Sequence, residues 1–190
     1  MEFKGSQTEK NLLAAFAGES QARNRYTFFA SAARNEGYEQ ISGIFTETAD
    51  NEKEHAKLFF AHLKGGTTEI VAGYPSGVIG STKQNLKAAA EGEKFEWGML
   101  YPGFAEVAEK EGFMDAAATF RQVAKVEVYH ERRYLKLLAN VEQVKVFKKD
   151  APVKWKCRNC GYVFEGTEVP DKCPVCKHPR SFYEVYAENY

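Results

Sequence analysis

The chain has 190 residues with 26 Lys+Arg against 26 Asp+Glu, so its formal charge is zero. That balance argues against a nucleic-acid partner, which draws a basic excess. No apolar run approaches the roughly 18 residues that span a bilayer, and residues 1–7 lack the apolar core of a signal peptide, so a cytoplasmic location away from membranes is expected.

Residues 6–64 predict two long helices. In the first, Leu12, Phe16, Glu19, Tyr26, Ala30 and Ala33 share one stripe, with Ser6 or Thr8 as cap and Gly37 as stop. The second runs from about Gln40 to Leu63 with the stripe Ile41, Phe45, Thr48, Glu52, His55, Phe59, ended by Gly65-Gly66. Residues 65–80 are glycine-rich and read as a crossover, too long for a hairpin loop. A third helix starts near Ser81 or Thr82 and ends at Gly112. Its stripe is Leu86, Ala90, Glu93, Trp97, Leu100, Phe104, Val107, and Pro102 should kink it or alter its hydrogen bonding. The fourth, from about Phe113 to Val144, carries Phe113, Ala116, Phe120, Val123, Glu127, His130, Tyr134, Leu137 and Val141. Four amphipathic helices with one long middle connection predict a mainly α fold, a ferritin-like four-helix bundle over residues 1–146.

Composition changes after Val146. Residues 147–152, polar and ending in Pro152, read as a linker. Residues 153–190 are too few for a sizeable core and read as a small β-rich metal domain. Its cysteines, Cys157-x2-Cys160 and Cys173-x2-Cys176, could form two disulfides, but paired knuckles are the spacing of a tetrathiolate metal site. Spacing alone does not choose between a zinc ribbon and an iron site, and the nearby Trp155, Tyr162, Phe164, Phe182 and Tyr183 would shield either.

The helical part repeats internally. Adding 75 takes Glu36-Gly37-Tyr38 to Glu111-Gly112-Phe113, Tyr26 to Tyr101, Phe45 to Phe120, Glu52 to Glu127 and His55 to His130. Glu19 breaks the register, because its counterpart Glu93 comes one residue early. One extra residue therefore lies between Glu93 and Tyr101, which a π-bulge would accommodate. Glu96 has no acidic mate, since the first half has Ala22 there.

Glu19, Glu52, His55, Glu93, Glu127 and His130 all fall on inward stripes. One such residue would read as a snorkelling core-edge side chain. Six together, with no Lys or Arg on the same stripes, require cations, since unpaired buried carboxylates cost several kcal/mol each. One Glu from each of two helices with Glu-x-x-His from the other two is the pattern of a dinuclear carboxylate site: Glu52 and Glu127 bridging, Glu19 and Glu93 terminal. Oxygen ligands with one imidazole per ion suit iron or manganese.

Gly18-Glu19-Ser20-Gln21-Ala22-Arg23, Glu52-x2-His55, Gly92-Glu93-x2-Glu96, Tyr101-Pro102, Glu127-x2-His130 and the cysteine knuckles together resemble the rubrerythrin family over essentially the whole chain. The resemblance implies a non-haem diiron centre held by Glu19, Glu52, Glu93, Glu96 and Glu127 with His55 and His130, and one iron on Cys157, Cys160, Cys173 and Cys176. It also implies that Tyr26 and Tyr101 hydrogen-bond to ligand carboxylates, where the plainer reading is aromatic packing. Charge counting adds a role for Glu96. Four carboxylates balance two ferrous ions, whereas the harder ferric ion prefers oxygen to nitrogen, so Glu96 is expected to replace His55 on oxidation. His62 and His178 read as surface residues, and Arg132-Arg133 as a solvated face.

The function implied is a peroxide-scavenging oxidoreductase: hydrogen peroxide goes to water, and electrons enter through the cysteine site from a redox protein or an NAD(P)H-dependent reductase. A ferroxidase or iron-storage protein is the alternative, but leaves the cysteine domain without a use. A zinc-ribbon interaction module does not explain the Glu/His set, and for substrate oxygenation the sequence offers no obvious pocket. About sixteen residues of helix after His130, roughly 24 Å, separate the two metal sites, so a head-to-tail homodimer is expected to bring one subunit's cysteine site to its partner's bundle.

Overall fold

The computed structural model describes residues 2–189. Helix α1 spans Gln7–Asn35, α2 Glu39–Ala61 and α3 Thr82–Phe95; a π-helical turn at Glu96–Leu100 leads into α4, Tyr101–Glu111, and α5 spans Met114–Glu142. Taking α3, the π turn and α4 as one rod, four rods form the expected bundle, with α1 against α2 and the third rod against α5. Among the described residues no helix is long and apolar enough to cross a membrane.

Local chemistry starts and stops the rods. Ser6 caps α1 by accepting from the Glu9 amide at 3.0 Å, and Ser81 with Gln84 forms a capping box on α3. Gly37 and Gly112 close the two hairpins at φ +83° and +86°, a left-handed backbone that glycine adopts without penalty. The repeat also has a tertiary use. The Glu36 carboxylate accepts from the Thr82 amide at 3.0 Å, and Glu111 accepts from the Gln7 and Thr8 amides at 3.1 and 2.8 Å. Each hairpin's terminal carboxylate thus caps the first helix of the other half.

The extra residue inferred between Glu93 and Tyr101 is present as the π turn, in which the Tyr101 amide reaches the Glu96 carbonyl five residues back. It also corrects the expected stripe. One added residue rotates the following chain by about 100°, so the buried side chains beyond it are Tyr101, Ala105 and Ala108, while Trp97, Leu100, Phe104 and Val107 are only half-buried. Trp97 instead donates to Glu131 on α5 at 2.8 Å.

The bundle core is two clusters. One holds Tyr26, Phe29, Ile41, Phe45, Leu86 and Tyr134; the other holds Leu12, Phe59, Tyr101, Ala105, Phe120 and Val123. Full burial of one such large apolar side chain stabilises by about 1.5–3 kcal/mol. Along every rod the chain passes from one cluster to the other through an acidic residue: Glu19 on α1, Glu52 on α2, Glu93 on α3 and Glu127 on α5. The carboxylates therefore occupy the seam between two dry layers.

After α5 come β1, Lys148–Cys157, β2, Val163–Glu168, and β3, Tyr183–Val185, in an antiparallel sheet of order β2-β1-β3. Residues 148–152, read from sequence as linker, are the first half of β1. Lys148 pairs with Glu168, and the register slips before Val153, where Pro152 has no amide to donate. A small core of Trp155, Cys157, Val169, Cys173 and Tyr183 supports the sheet. This unit rests on the α1–α2 end of its own bundle: Phe147 stacks on Tyr38 at 6.0 Å between centroids. Arg158 lies so close to α2 that a Cβ at Gly43 would come within 2.8 Å of it.

Candidate metal centre

Helical periodicity carries four acidic residues and two imidazoles to the seam, and all six are buried. Their donor atoms form two groups, each within 4.8 Å: Glu19, Glu52, His55 and Glu127; and Glu52, Glu93, Glu127 and His130. Glu52 and Glu127 belong to both. His55 Nδ1 is 2.8 Å from Glu52 Oε2 and 2.9 Å from Glu127 Oε1, while His130 Nδ1 is 3.2 Å from Glu52 Oε1 and 2.7 Å from Glu127 Oε2. Each shared carboxylate thus turns one oxygen toward each imidazole.

These contacts are close but not aligned as hydrogen bonds. Both oxygens of Glu52 and Glu127, Glu19 Oε2, Glu93 Oε2 and both Nδ1 atoms have no hydrogen-bond partner. Buried polar atoms seldom go unpartnered, and lone pairs converging on two common points are what a pair of metal ions requires. Charge gives the same answer. Burial first, then neighbouring carboxylates, drives the Glu19, Glu93 and Glu96 carboxyls well above their usual range. Burial should likewise lower both imidazoles, but Glu127 and Glu52 raise His55 to about 9 and His130 to about 12. The protein alone places only protons against this negative charge, and binding cations displaces them. The residues present fit two divalent ions.

Outside this set, the Tyr26 hydroxyl donates to Glu93 Oε1 at 2.5 Å, and Tyr101 donates to Glu19. Glu96 is buried at 8 % exposure but belongs to neither donor group. It lines the inner wall of a cavity of about 850 Å³ between α1, the third rod and residues 69–75. Periodicity gives no sign of this cavity; its trace in the sequence is the glycine before each terminal carboxylate, Gly18-Glu19 and Gly92-Glu93.

The cysteines are unpaired, with Cys157 Sγ 3.8 Å from Cys176 Sγ and Cys160 Sγ 3.7 Å from Cys173 Sγ. A tetrahedron with metal–sulfur bonds of about 2.3 Å has edges of about 3.8 Å, so the four sulfurs fit a single ion. The His178 amide holds Cys176 down to about 6, favouring the thiolate that metals bind. Two residues read as surface-facing are half-buried. His62 Nε2 meets Thr119 Oγ1 at 2.8 Å, and His178 packs edge-on to Phe182 while its Nδ1 meets the Cys176 carbonyl at 3.2 Å. Arg133 is not merely solvated: it ties α5 to α2 through Glu47 and Thr48, at 2.5 and 2.6 Å.

The rubrerythrin family profile matches residues 10–138, and the profile of its rubredoxin-like domain matches residues 155–184. The chain is 62 % identical to a rubrerythrin of Porphyromonas gingivalis, over 98 % of this chain and 94 % of that one. To a rubrerythrin of Clostridium perfringens it is 56 % identical, over 98 % of each. Among solved structures, nigerythrin in a partially reduced state superposes with TM-score 0.64 at 34 % identity, covering 96 % of this chain and 90 % of that one. Symerythrin from Cyanophora paradoxa shares the fold, with TM-score 0.61 at 22 % identity over 72 % of this chain and 86 % of its own.

Proposed function

Because the chain belongs to the rubrerythrin family and carries its diiron site and rubredoxin-like four-cysteine site, we propose that it is an oxidoreductase reducing hydrogen peroxide to water, with electrons entering through an iron held by Cys157, Cys160, Cys173 and Cys176. The observation that carries this reading is the pairing, on one chain, of a dinuclear carboxylate–imidazole set with a thiolate site. A ferroxidase oxidised by dioxygen has no need of the second.

Glu52 and Glu127, which belong to both donor groups, would hold both ions, with Glu19 and His55 on one and Glu93 and His130 on the other. Iron held there would supply one electron per ion to the O–O bond of peroxide, which with two protons gives two waters. Tyr101 and Tyr26 fix the Glu19 and Glu93 carboxylates by hydrogen bonding, leaving the remaining oxygen of each for metal. Glu96, buried outside both donor groups, would take the place of His55 in the oxidised state, since hard ferric iron favours oxygen over nitrogen. The apolar layers at the two ends of the seam shield the reacting atoms along the bundle axis.

The cysteine domain leans on its own bundle near Gly43, nine residues or about 14 Å along α2 from Glu52. The proposal also takes electrons from the cysteine site of a second copy in a head-to-tail homodimer. The immediate donor is a redox protein or an NAD(P)H-dependent reductase. Stopped-flow oxidation of the fully ferrous protein is the test. The proposal expects stoichiometric hydrogen peroxide to oxidise the bundle iron much faster than air-saturated buffer does, and faster oxidation by dioxygen would make the protein a ferroxidase.

A further inference from the structure

The cavity beneath residues 69–75 is about 850 Å³. A water molecule's share of liquid volume is about 30 Å³, so the space far exceeds what hydrogen peroxide requires and falls in the range of sites for organic ligands, about 300–1,000 Å³. Phe95, Leu100 and Phe104 on the third rod, Ala14 on α1 and Ile70 overhead give it largely apolar walls. Tyr74 holds the covering segment down by donating to the Ala14 carbonyl at 2.9 Å.

The inner end is different. It is formed by Gly18, Gly92, Arg25 and Glu96, and the two glycines immediately precede the terminal carboxylates Glu19 and Glu93. Neither glycine is required by packing. A Cβ at Gly18 would sit 3.7 Å from Tyr74 Cε1 and one at Gly92 3.7 Å from Arg25 Nη2, both ordinary contacts, and neither residue has a positive φ. Glycine weakens a helix interior relative to alanine, so two unforced glycines, one in each repeat and both lining one cavity, read as clearance in front of the metal ligands. The Arg25 guanidinium adds donors on this lining, its Nη2 standing beside Gly92.

We propose that this cavity admits alkyl hydroperoxides, R–OOH, with the apolar R group between the covering segment and the third rod and the hydroperoxide end at Glu96 and Arg25. The inference rests on the peroxide-reductase reading of the diiron site. The O–O bond breaks, two electrons come from the ferrous pair, and two protons complete an alcohol and a water: R–OOH + 2 e⁻ + 2 H⁺ → R–OH + H₂O. The resulting ferric pair is reduced again by the donor that serves hydrogen peroxide, through the cysteine-bound iron.

The experiment compares cumene hydroperoxide with hydrogen peroxide on the iron-loaded full-length protein, and titrates the redox-inert product alcohol, 2-phenyl-2-propanol, into the ferric protein by calorimetry. Wild type should reduce cumene hydroperoxide with kcat/KM within tenfold of hydrogen peroxide, and should bind the alcohol. Ala14→Phe, which fills the apolar end, should raise KM for cumene hydroperoxide at least tenfold and abolish alcohol binding, with hydrogen peroxide kinetics unchanged within twofold. Ala72→Phe, on the exposed covering segment, provides the same comparison if Ala14→Phe does not fold. A kcat/KM for cumene hydroperoxide below a tenth of that for hydrogen peroxide, or equal effects of the filling variant on both substrates, would overturn the proposal. Loss of hydrogen peroxide reduction in wild type would instead reject the underlying reading, whatever the alcohol titration gives.

Discussion

The Tyr26 hydroxyl on α1 lies 2.5 Å from Glu93 Oε1 on α3, both groups fully buried, so a phenol from one half of the repeat holds a carboxylate of the other. Tyr101 and Glu19 repeat the relationship in the opposite sense. Hydrogen bonds to charged groups contribute about 1.5–3 kcal/mol. Tyr26→Phe should therefore destabilise the holoprotein by about 2 kcal/mol in urea and slow peroxide turnover several-fold, while the bundle still binds two irons. Loss of that iron in metal analysis would show that Tyr26 is needed for binding rather than for orientation.

Glu96 is buried yet stands outside both donor groups, whereas His55 stands within one. Glu96→Ala should bind ferrous iron as wild type does and lose at least tenfold in peroxide turnover. Mössbauer spectra would localise the effect: the ferrous spectrum should be unchanged, and one of the two ferric sites should be altered. Identical ligands in reduced and oxidised wild-type crystals would refute the exchange while leaving the dinuclear site in place.

The cysteine domain has a core of a few side chains, two of them ligand cysteines, so its metal is part of its fold. Cys176→Ala should remove the thiolate charge-transfer absorption and raise protease sensitivity beyond about residue 147, with bundle iron retained. A pre-reduced variant should still complete one turnover with peroxide, and steady-state turnover should stop. Undiminished steady-state activity would mean that electrons bypass this site.

Glu111 carries a pH dependence away from both metal sites. Its partial burial works against ionisation, but donation from the Thr8 hydroxyl at 2.6 Å and from the Thr8 and Gln7 amides holds it below the usual carboxylate range. A depressed folded-state value stabilises above the unfolded carboxyl's titration, near pH ~4.3, and the contribution disappears as pH falls through the folded value. Glu111→Gln should lower the urea midpoint at pH 7 and converge on wild type in acid. A difference that persisted in acid would assign the effect to packing.

The helices and their metal-facing residues were legible because both follow from local repetition. A period of 3.6 identifies the inward face of α1, α2 and α5, and several acidic residues that meet on such faces need cations. The offset of 75 marks the duplication, and its slip by one at Glu93 marks the π turn. From Trp97 onward the stripe fails, because an unbroken period of 3.6 does not hold through a turn that rotates the chain.

What the sequence by itself determined is therefore the set of elements, the residues that meet at the seam and the thiolate knuckles, since each depends on spacing along one segment. Only the tertiary structure decided that Glu36 and Glu111 cap each other's half, that Lys148 pairs with Glu168 so that β1 begins there, that Glu96 stands apart from the donor groups, and that Gly18 and Gly92 open on one cavity. Each of these depends on the distance between segments far apart in the chain, which packing sets and no local period encodes.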